Sequence, residues 1–168
     1  NETFECWEIA LKSENTPSVI ALSRQKLPYI NPKFSEKNEC ENGAYVVKME
    51  SHDNKVTLVA SGSEVELALN VQSALKQYDI QSKVVSMPCQ ELFDKQTEKY
   101  KKNILEQDTL IVTIEAGNIS SWQKYLGEKD ISMGISRFGE SAPYKKIYEH
   151  LNLSVEKIVD TIQKQLRK

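Results

Sequence analysis

The sequence has few arginines and no long apolar segment, and both shortages exclude classes of protein. Only three of the 22 basic residues are arginines, and the formal net charge is −2. Such a composition gives no general attraction to nucleic acid or to anionic lipid. No apolar run approaches the roughly 20 residues that span a bilayer. The sequence therefore predicts a protein that binds neither nucleic acid nor membrane.

Cysteine is also scarce. Cys6, Cys40 and Cys89 are odd in number, lie more than thirty residues apart and include no Cys-x-x-Cys pair. This spacing argues against a zinc site, a dithiol redox site and a secreted disulfide framework. We therefore expect reduced thiols in a cytoplasmic protein.

The chain is long enough to form a core of its own. Its 168 residues are 39% hydrophobic and 27% charged, which is typical of a globular domain and excludes disorder, collagen and coiled coil. The sequence starts without Met and without an apolar signal segment, at a point that resembles the middle of a helix. We expect it to be a piece of a longer protein.

From residue 43 onward, strand patterns alternate with helix patterns. Short runs rich in apolar and β-branched residues predict strands at 44–49, 55–60, 83–87, 109–115 and 131–136. Strands that alternate with helices form a mainly parallel sheet covered on both faces. The expected fold class is therefore α/β, with three layers and a mostly parallel sheet of about five strands.

The residues before 43 look like the end of another domain. Residues 4–12 have apolar side chains at helical spacing, and 18–23 have the pattern of a short buried strand. One helix and one strand cannot enclose a core. We divide the chain into an end segment (1–30), a polar linker (31–42) and an α/β domain (43–168).

The start and the buried face of two helices of that domain can be predicted from the sequence. Ser63 with Glu66 three residues later predicts a capping box at the start of one helix, and the last helix is expected to begin after Ser154. The side chains predicted to be buried are Leu67, Val71, Ala74, Leu75 and Tyr78 in the first helix, and Val155, Ile158, Val159, Ile162 and Leu166 in the second.

The strand–helix junction at 61–63 is a place where α/β proteins often bind phosphate. It has a single glycine and lacks both the GxGxxG and P-loop patterns. Glu64 and Glu66 also place carboxylates where a phosphate would sit. A capped turn is therefore favoured over a nucleotide site.

Two other polar residues are weak catalytic candidates. Glu115 ends the strongest strand pattern and could act in acid–base or metal chemistry, but it has no His or second carboxylate at useful spacing. Ser141 is not in a GxSxG motif, and no His–Asp pair is marked for it. Helix capping and turn formation are the favoured roles, and His52 and His150 are expected to be solvated.

Arg24 is the stronger binding candidate. It comes directly after the predicted strand 18–23, where side chains often face a cleft. A planar guanidinium with five donors suits a carboxylate or a phosphate. A structural ion pair is the alternative role.

Seven short blocks resemble transketolases, in the order and at the spacing of that family. They are ALSRQKLP (21–28), GAYV (43–46), ASGSEVELA (60–68), VVSMP (84–88), ELFDKQ (91–96), EAG (115–117) followed by Trp122, Lys124, Tyr125 and Gly127, and FGESAP (138–143). The resemblance covers nearly the whole chain. It places the chain at the C-terminal end of a transketolase, as the last helix and strand of the pyrimidine-binding domain, the linker and the C-terminal domain.

This resemblance implies a function for the longer protein. Transketolases are homodimers that use thiamine diphosphate and a divalent metal, Mg²⁺ or Ca²⁺, to transfer a two-carbon ketol unit between sugar phosphates in the pentose phosphate pathway. Arg24 matches the arginine that binds the terminal phosphate of the sugar.

The resemblance also implies what this chain lacks. The metal–diphosphate motif of the family begins Gly-Asp-Gly, which does not occur here. The glutamate that activates the pyrimidine and most substrate-binding histidines belong to upstream segments. We therefore expect no catalytic, cofactor-binding or metal-binding residue in this chain, and a structural, dimer-supporting role.

The alternative is an autonomous, non-catalytic module for dimerisation or regulation. The same C-terminal fold occurs in the beta subunits of 2-oxoacid dehydrogenases and in deoxyxylulose phosphate synthase. The LSRQ and FGESAP blocks favour transketolase over these relatives.

Overall fold

A five-stranded sheet forms the centre of the protein. The computed structural model describes residues 1–30 and 37–168, so the first half of the predicted linker lies outside the described residues. The strands are β1 (Tyr45–Met49), β2 (Val56–Ala60), β3 (Ser82–Ser86), β4 (Leu110–Ile114) and β5 (Ile131–Met133). Their order in the sheet is β1-β3-β2-β4-β5.

Four of the five strands are parallel. β2 pairs in parallel with both β3 and β4, β4 pairs in parallel with β5, and β1 is an antiparallel edge strand beside β3. Every residue of β2, β3 and β4 is buried, as expected for parallel strands with helices on both faces. The predicted α/β fold with a mostly parallel five-stranded sheet is confirmed.

Helices cover both faces of the sheet and complete the three layers. They are α1 (Glu2–Lys12), α2 (Glu64–Lys76), α3 (Gln90–Asp94), α4 (Glu98–Leu105), α5 (Tyr144–His150) and α6 (Val155–Leu166), with 3₁₀ helices at Glu39–Asn42 and Ile119–Tyr125. One core lies between the sheet and α2 with α6, where Leu75 and Ile158 are fully buried. The other lies between the sheet and α3, α4 and the second 3₁₀ helix, around Phe93 and Trp122.

The chain reverses its direction across the sheet at β2. After β2 it passes through α2 to β3 on one side, and it later returns to β4 on the other side of β2. The carboxyl ends of β2 and β4 therefore flank a topological switch point, which is where open α/β sheets bind their ligands. Ser61 follows β2 and Glu115 follows β4 at this point.

The predicted strand at 18–23 is wrong for this chain. The segment has no regular structure, and Val19 is 95% exposed. A strand needs a neighbour to accept and donate its backbone hydrogen bonds, and no strand among the described residues pairs with 18–23. The apolar pattern of 18–23 does not indicate whether a partner strand is present.

The predicted capping box at Ser63 is also wrong. The backbone of Ser63 is already helical, and its side chain does not cap the helix but donates to Glu64 Oε1 at 2.7 Å. Val71 and Leu75 are buried as predicted, whereas Tyr78 is exposed because it follows the end of α2. In α6, Leu166 is exposed in the last turn, and Ile158, Val159 and Ile162 form the buried face.

The predicted N-terminal helix is present as α1, but its apolar side chains are not covered. No residue of α1 is buried, and Phe4, Trp7 and Leu11 are all at least half exposed. Across the described ranges no helix combines the length and hydropathy that a membrane span requires.

Candidate functional site

Arg24 lies in the irregular segment between α1 and residue 30, with its side chain exposed to solvent. No hydrogen bond or ion pair joins Arg24 to any residue of 1–30 or 37–168. The structural ion pair considered as an alternative therefore has no acceptor in this part of the chain. An exposed guanidinium offers up to five N–H donors to a phosphate or carboxylate.

The segment that carries Arg24 is anchored at both ends. Ser13 ends α1 by donating from its hydroxyl to Ile9 O at 2.9 Å. At the other end, the Tyr29 hydroxyl donates to Asn1 Oδ1 at 2.5 Å and Ile30 packs against the apolar core beside α2. Arg24 thus lies in an irregular segment that begins at the end of α1 and ends where Ile30 meets the core.

Polar contacts join α1 to the end of the linker and to the α/β domain. The Asn38 amide donates to Glu5 O and to Glu8 Oε2, both at 2.9 Å, and Cys40 N donates to Glu5 Oε2 at 3.2 Å. The hydroxyls of Tyr45 and Ser86 both donate to Glu2 Oε1. Helix α1 is therefore attached through hydrogen bonds and has no buried side chain, whereas Ile30 at the end of the segment packs against the apolar core.

The switch point contains a pair of carboxylates, which sequence reasoning missed. Glu115 accepts a hydrogen bond from Ser61 Oγ at 3.2 Å, and its charge interacts with that of Glu64 at the start of α2. The absence of a second carboxylate near Glu115, as judged from sequence spacing, was wrong. The two residues are far apart along the chain, and only the parallel pairing of β2 with β4 brings them together.

Burial and a neighbouring charge affect the protonation of Glu115. Burial raises the pKa of Glu115, and the neighbouring Glu64 charge raises it further. Glu64 is only 4% exposed and accepts hydrogen bonds from Ser63 and from the hydroxyl of Tyr148 on α5. Burial and the contact with Glu64 raise the pKa of Tyr148, so its hydroxyl remains a donor. These contacts join α5 to the start of α2.

This carboxyl edge does not fit the diphosphate of thiamine diphosphate. Glu64 and Glu115 place negative charge where the loops after β2 and β4 would have to receive a phosphate. No group of three or more His, Cys, Asp and Glu side chains in the described ranges could hold a metal ion. A diphosphate–metal site would therefore need residues other than Glu64 and Glu115.

The loop before α5 forms a surface cavity at the same edge of the sheet. A cavity of about 390 Å³ is lined by Gly117, Asn118, Arg137 and Phe138, among others. Glu140 Oε1 pairs with Arg137 Nη2 at 2.8 Å and lies 3.3 Å from Nε2 of the exposed His150. Arg137 is thus already neutralised, in contrast to Arg24.

The remaining candidates take the places expected for turn and surface residues. Ser141 is exposed in the loop before Pro143, which is the N-cap of α5, and His52 is exposed between β1 and β2. Neither has a catalytic partner among the contacts of the described residues.

Together these features define an α/β domain with an attached N-terminal segment that carries an exposed Arg24. A family model described as "Transketolase-like TK C-terminal domain" matches residues 43–154. The chain belongs to the transketolase family.

Individual relatives match almost the whole chain. It is 41% identical to a transketolase of Rhodobacter capsulatus over 98% of its own length and 25% of that protein. Its structure is similar to a transketolase from Leishmania mexicana, with a TM-score of 0.87, 38% identity and coverage of 99% of this chain and 24% of that one. It is also similar to a transketolase from Pichia stipitis in complex with sedoheptulose-7-phosphate, with a TM-score of 0.88, 32% identity and coverage of 99% and 24%.

The chain spans about a quarter of the length of these relatives. The matches include residues 1–30 as well as the α/β domain, because coverage of this chain is nearly complete. They confirm the resemblance and the fold that the sequence predicted.

Proposed function

We propose that this chain is the C-terminal part of a transketolase, and that Arg24 is its contact with the phosphate group of the sugar substrate. The complete enzyme would transfer a two-carbon ketol unit between sugar phosphates, with thiamine diphosphate and a divalent metal held by other segments. This chain would support the fold and the homodimer, and the complete enzyme would act in the cytoplasm on the pentose phosphate pathway.

The exposure of the Arg24 guanidinium, without an ion-pair partner among the described residues, is the observation that carries this proposal. Its guanidinium is exposed and has no carboxylate partner within 1–30 or 37–168, so binding a phosphate would require no existing ion pair to break. A guanidinium can hold two phosphate oxygens through parallel charge-assisted hydrogen bonds. The sugar phosphate bound to the Pichia stipitis relative supports a phosphorylated substrate here.

The exposed apolar side of α1 supports the proposal that this chain functions inside a larger assembly. Phe4 is 69% exposed and Leu11 is 78% exposed, and both lie on a helix that has no buried residue. Exposed apolar side chains that lie together favour contact with further protein. In the proposed enzyme, the upstream part of the transketolase would cover them.

The test substitutes Arg24 in the transketolase that contains this chain. A charge-assisted hydrogen bond contributes about 1.5–3 kcal/mol, so Arg24→Ala is expected to lower kcat/KM for a sugar-phosphate acceptor roughly 10- to 150-fold. Arg24→Lys should recover part of the loss, because the charge remains and the planar fork does not. Arg167→Ala, which removes another exposed arginine at the end of α6, is the matched control and should have no effect.

A non-phosphorylated aldehyde acceptor separates substrate binding from a structural role. Arg24 has no phosphate to bind on that acceptor, so its kcat/KM should be the same for the Arg24→Ala and unsubstituted enzymes. An equal loss on both acceptors would show that Arg24 is structural and would overturn the assignment.

A further inference from the structure

The fold brings together two cysteines that the sequence places far apart. Cys6 lies on α1, and Cys40 lies on the 3₁₀ helix Glu39–Asn42, which packs against α1. Cys40 Sγ is 4.0 Å from Glu2 O, the carbonyl that accepts the helical N–H of Cys6. The two thiols are therefore neighbours, and the interaction between them affects the pKa of both.

The surroundings fix the position of Cys40. Its N–H donates to Glu5 Oε2 at 3.2 Å and to Asn38 Oδ1 at 3.0 Å, and its carbonyl accepts from Gly43 N at 2.9 Å. Its side chain is 1% exposed. Cys6 is only partly buried, so a reagent in solution can reach Cys6 but not Cys40.

The two thiols differ in the way that a disulfide exchange requires. The interaction with Cys40 lowers the pKa of Cys6, and this effect exceeds the opposing effects of burial and of the Glu2 and Glu5 charges. The same interaction, with burial, raises the pKa of Cys40. Cys6 is therefore the thiol that attacks an oxidant first, because the thiolate is the nucleophile.

We propose that Cys6 and Cys40 are an oxidisable dithiol whose disulfide joins α1 to the 3₁₀ helix that precedes the α/β domain, with a small-molecule disulfide as the oxidant. The Cys6 thiolate attacks one sulfur of that disulfide and releases its other half as a thiolate. Cys40 then gives up its proton and attacks the Cys6 sulfur, which forms the internal bridge and releases the second half. Two protein thiols are oxidised, and one external disulfide is reduced to two thiols.

The third cysteine supplies an internal control. Cys89 contacts the carboxylate of Glu91 at 3.5 Å, and burial raises its pKa. No other cysteine of the described ranges interacts with it. This inference does not depend on the proposed transketolase activity, since it concerns only contacts within this chain.

The test exposes the 168-residue chain to mixtures of reduced and oxidised glutathione, followed by acid quenching, alkylation and peptide mass mapping. We expect the Cys6–Cys40 disulfide to form in most molecules. Under the same conditions, the fraction of molecules with glutathione on Cys89 should be at least about tenfold smaller. The Cys89→Ser variant should form the bridge equally well. In Cys40→Ser, Cys6 should instead retain a bound glutathione.

Two results would overturn the proposal. One is a stable glutathione adduct on Cys6 of the unsubstituted chain while Cys40 remains a free thiol. The other is no preference for Cys6 over Cys89. If Cys40→Ser fails to fold, Cys6→Ser decides, since it removes only a partly exposed thiol and should leave Cys40 unmodified in the folded chain.

Discussion

Deletion of residues 1–30 tests whether the α/β domain is complete without its N-terminal segment. The segment contributes no buried side chain from α1, and α1 is joined to the described residues after it by hydrogen bonds to Asn38, Cys40, Tyr45 and Ser86. Each such bond has a net value of about 0.5–1.5 kcal/mol, and the half-exposed ones lie at the low end. Deletion also removes the entropic cost of ordering the irregular segment that follows α1. We expect the unfolding free energy to fall by no more than about 1–2 kcal/mol.

Urea denaturation followed by circular dichroism measures this change. The unfolding transition should remain cooperative, with an almost unchanged m-value, because little apolar surface is lost from the core. Glu2→Ala is a smaller version of the same perturbation, since Glu2 accepts from both Tyr45 and Ser86, and it should cost about 1 kcal/mol. Loss of the cooperative transition on deletion would show that 1–30 belongs to the core and that the proposed domain boundary is wrong.

The remaining predictions concern the turn before β1 and the switch point. Gly43 has φ +79°, and a methyl group added there would lie 2.3 Å from backbone atoms. Gly43→Ala should therefore lower the unfolding free energy, measured in urea, by at least about 2 kcal/mol. Gly139→Ala is the control, because no atom lies within 4 Å of its added methyl group, and it should change that free energy by less than about 0.5 kcal/mol. The pKa of Glu115 is raised above 4.5 in the folded state, so the folded state loses stability as the pH rises from 4.5 through the raised pKa. Gln cannot ionise and escapes this loss. The unfolding free energy of Glu115→Gln minus that of the unsubstituted protein should therefore be larger at pH 7 than at pH 4. The exposed Glu128→Gln is the control, and an equal pH effect in both variants would contradict the assignment.

The main elements of the fold could be predicted because periodicity and burial act locally in this sequence. The runs around Val59, Val85 and Val112 are apolar on both faces, which is what a central parallel strand requires. The incorrect predictions concern segments whose structure depends on a contact with another residue or strand. The segment around Val19 has a strand pattern but no neighbouring strand among the described residues, and Ser63 bonds the carboxylate beside it in place of the helix N-terminus.

Contacts between distant parts of the chain could not be predicted from spacing. Glu64 and Glu115 meet because β2 and β4 are neighbours in the sheet, and Cys6 meets Cys40 because α1 packs on a 3₁₀ helix. Arg24 was found from the sequence alone, since arginine is scarce and its block resembles transketolases. Its role as a phosphate ligand remains a prediction.

The most direct test of the central claim measures ketol transfer to a sugar-phosphate acceptor, in the presence of thiamine diphosphate and Mg²⁺. The rate is compared for this chain alone, for a polypeptide carrying the upstream three quarters of the transketolase, and for the two joined, since the chain spans about a quarter of its relatives. We predict no turnover by this chain alone, little by the upstream part alone and full activity when they are joined. Turnover by this chain alone, or an upstream part as active without it as with it, would contradict the account.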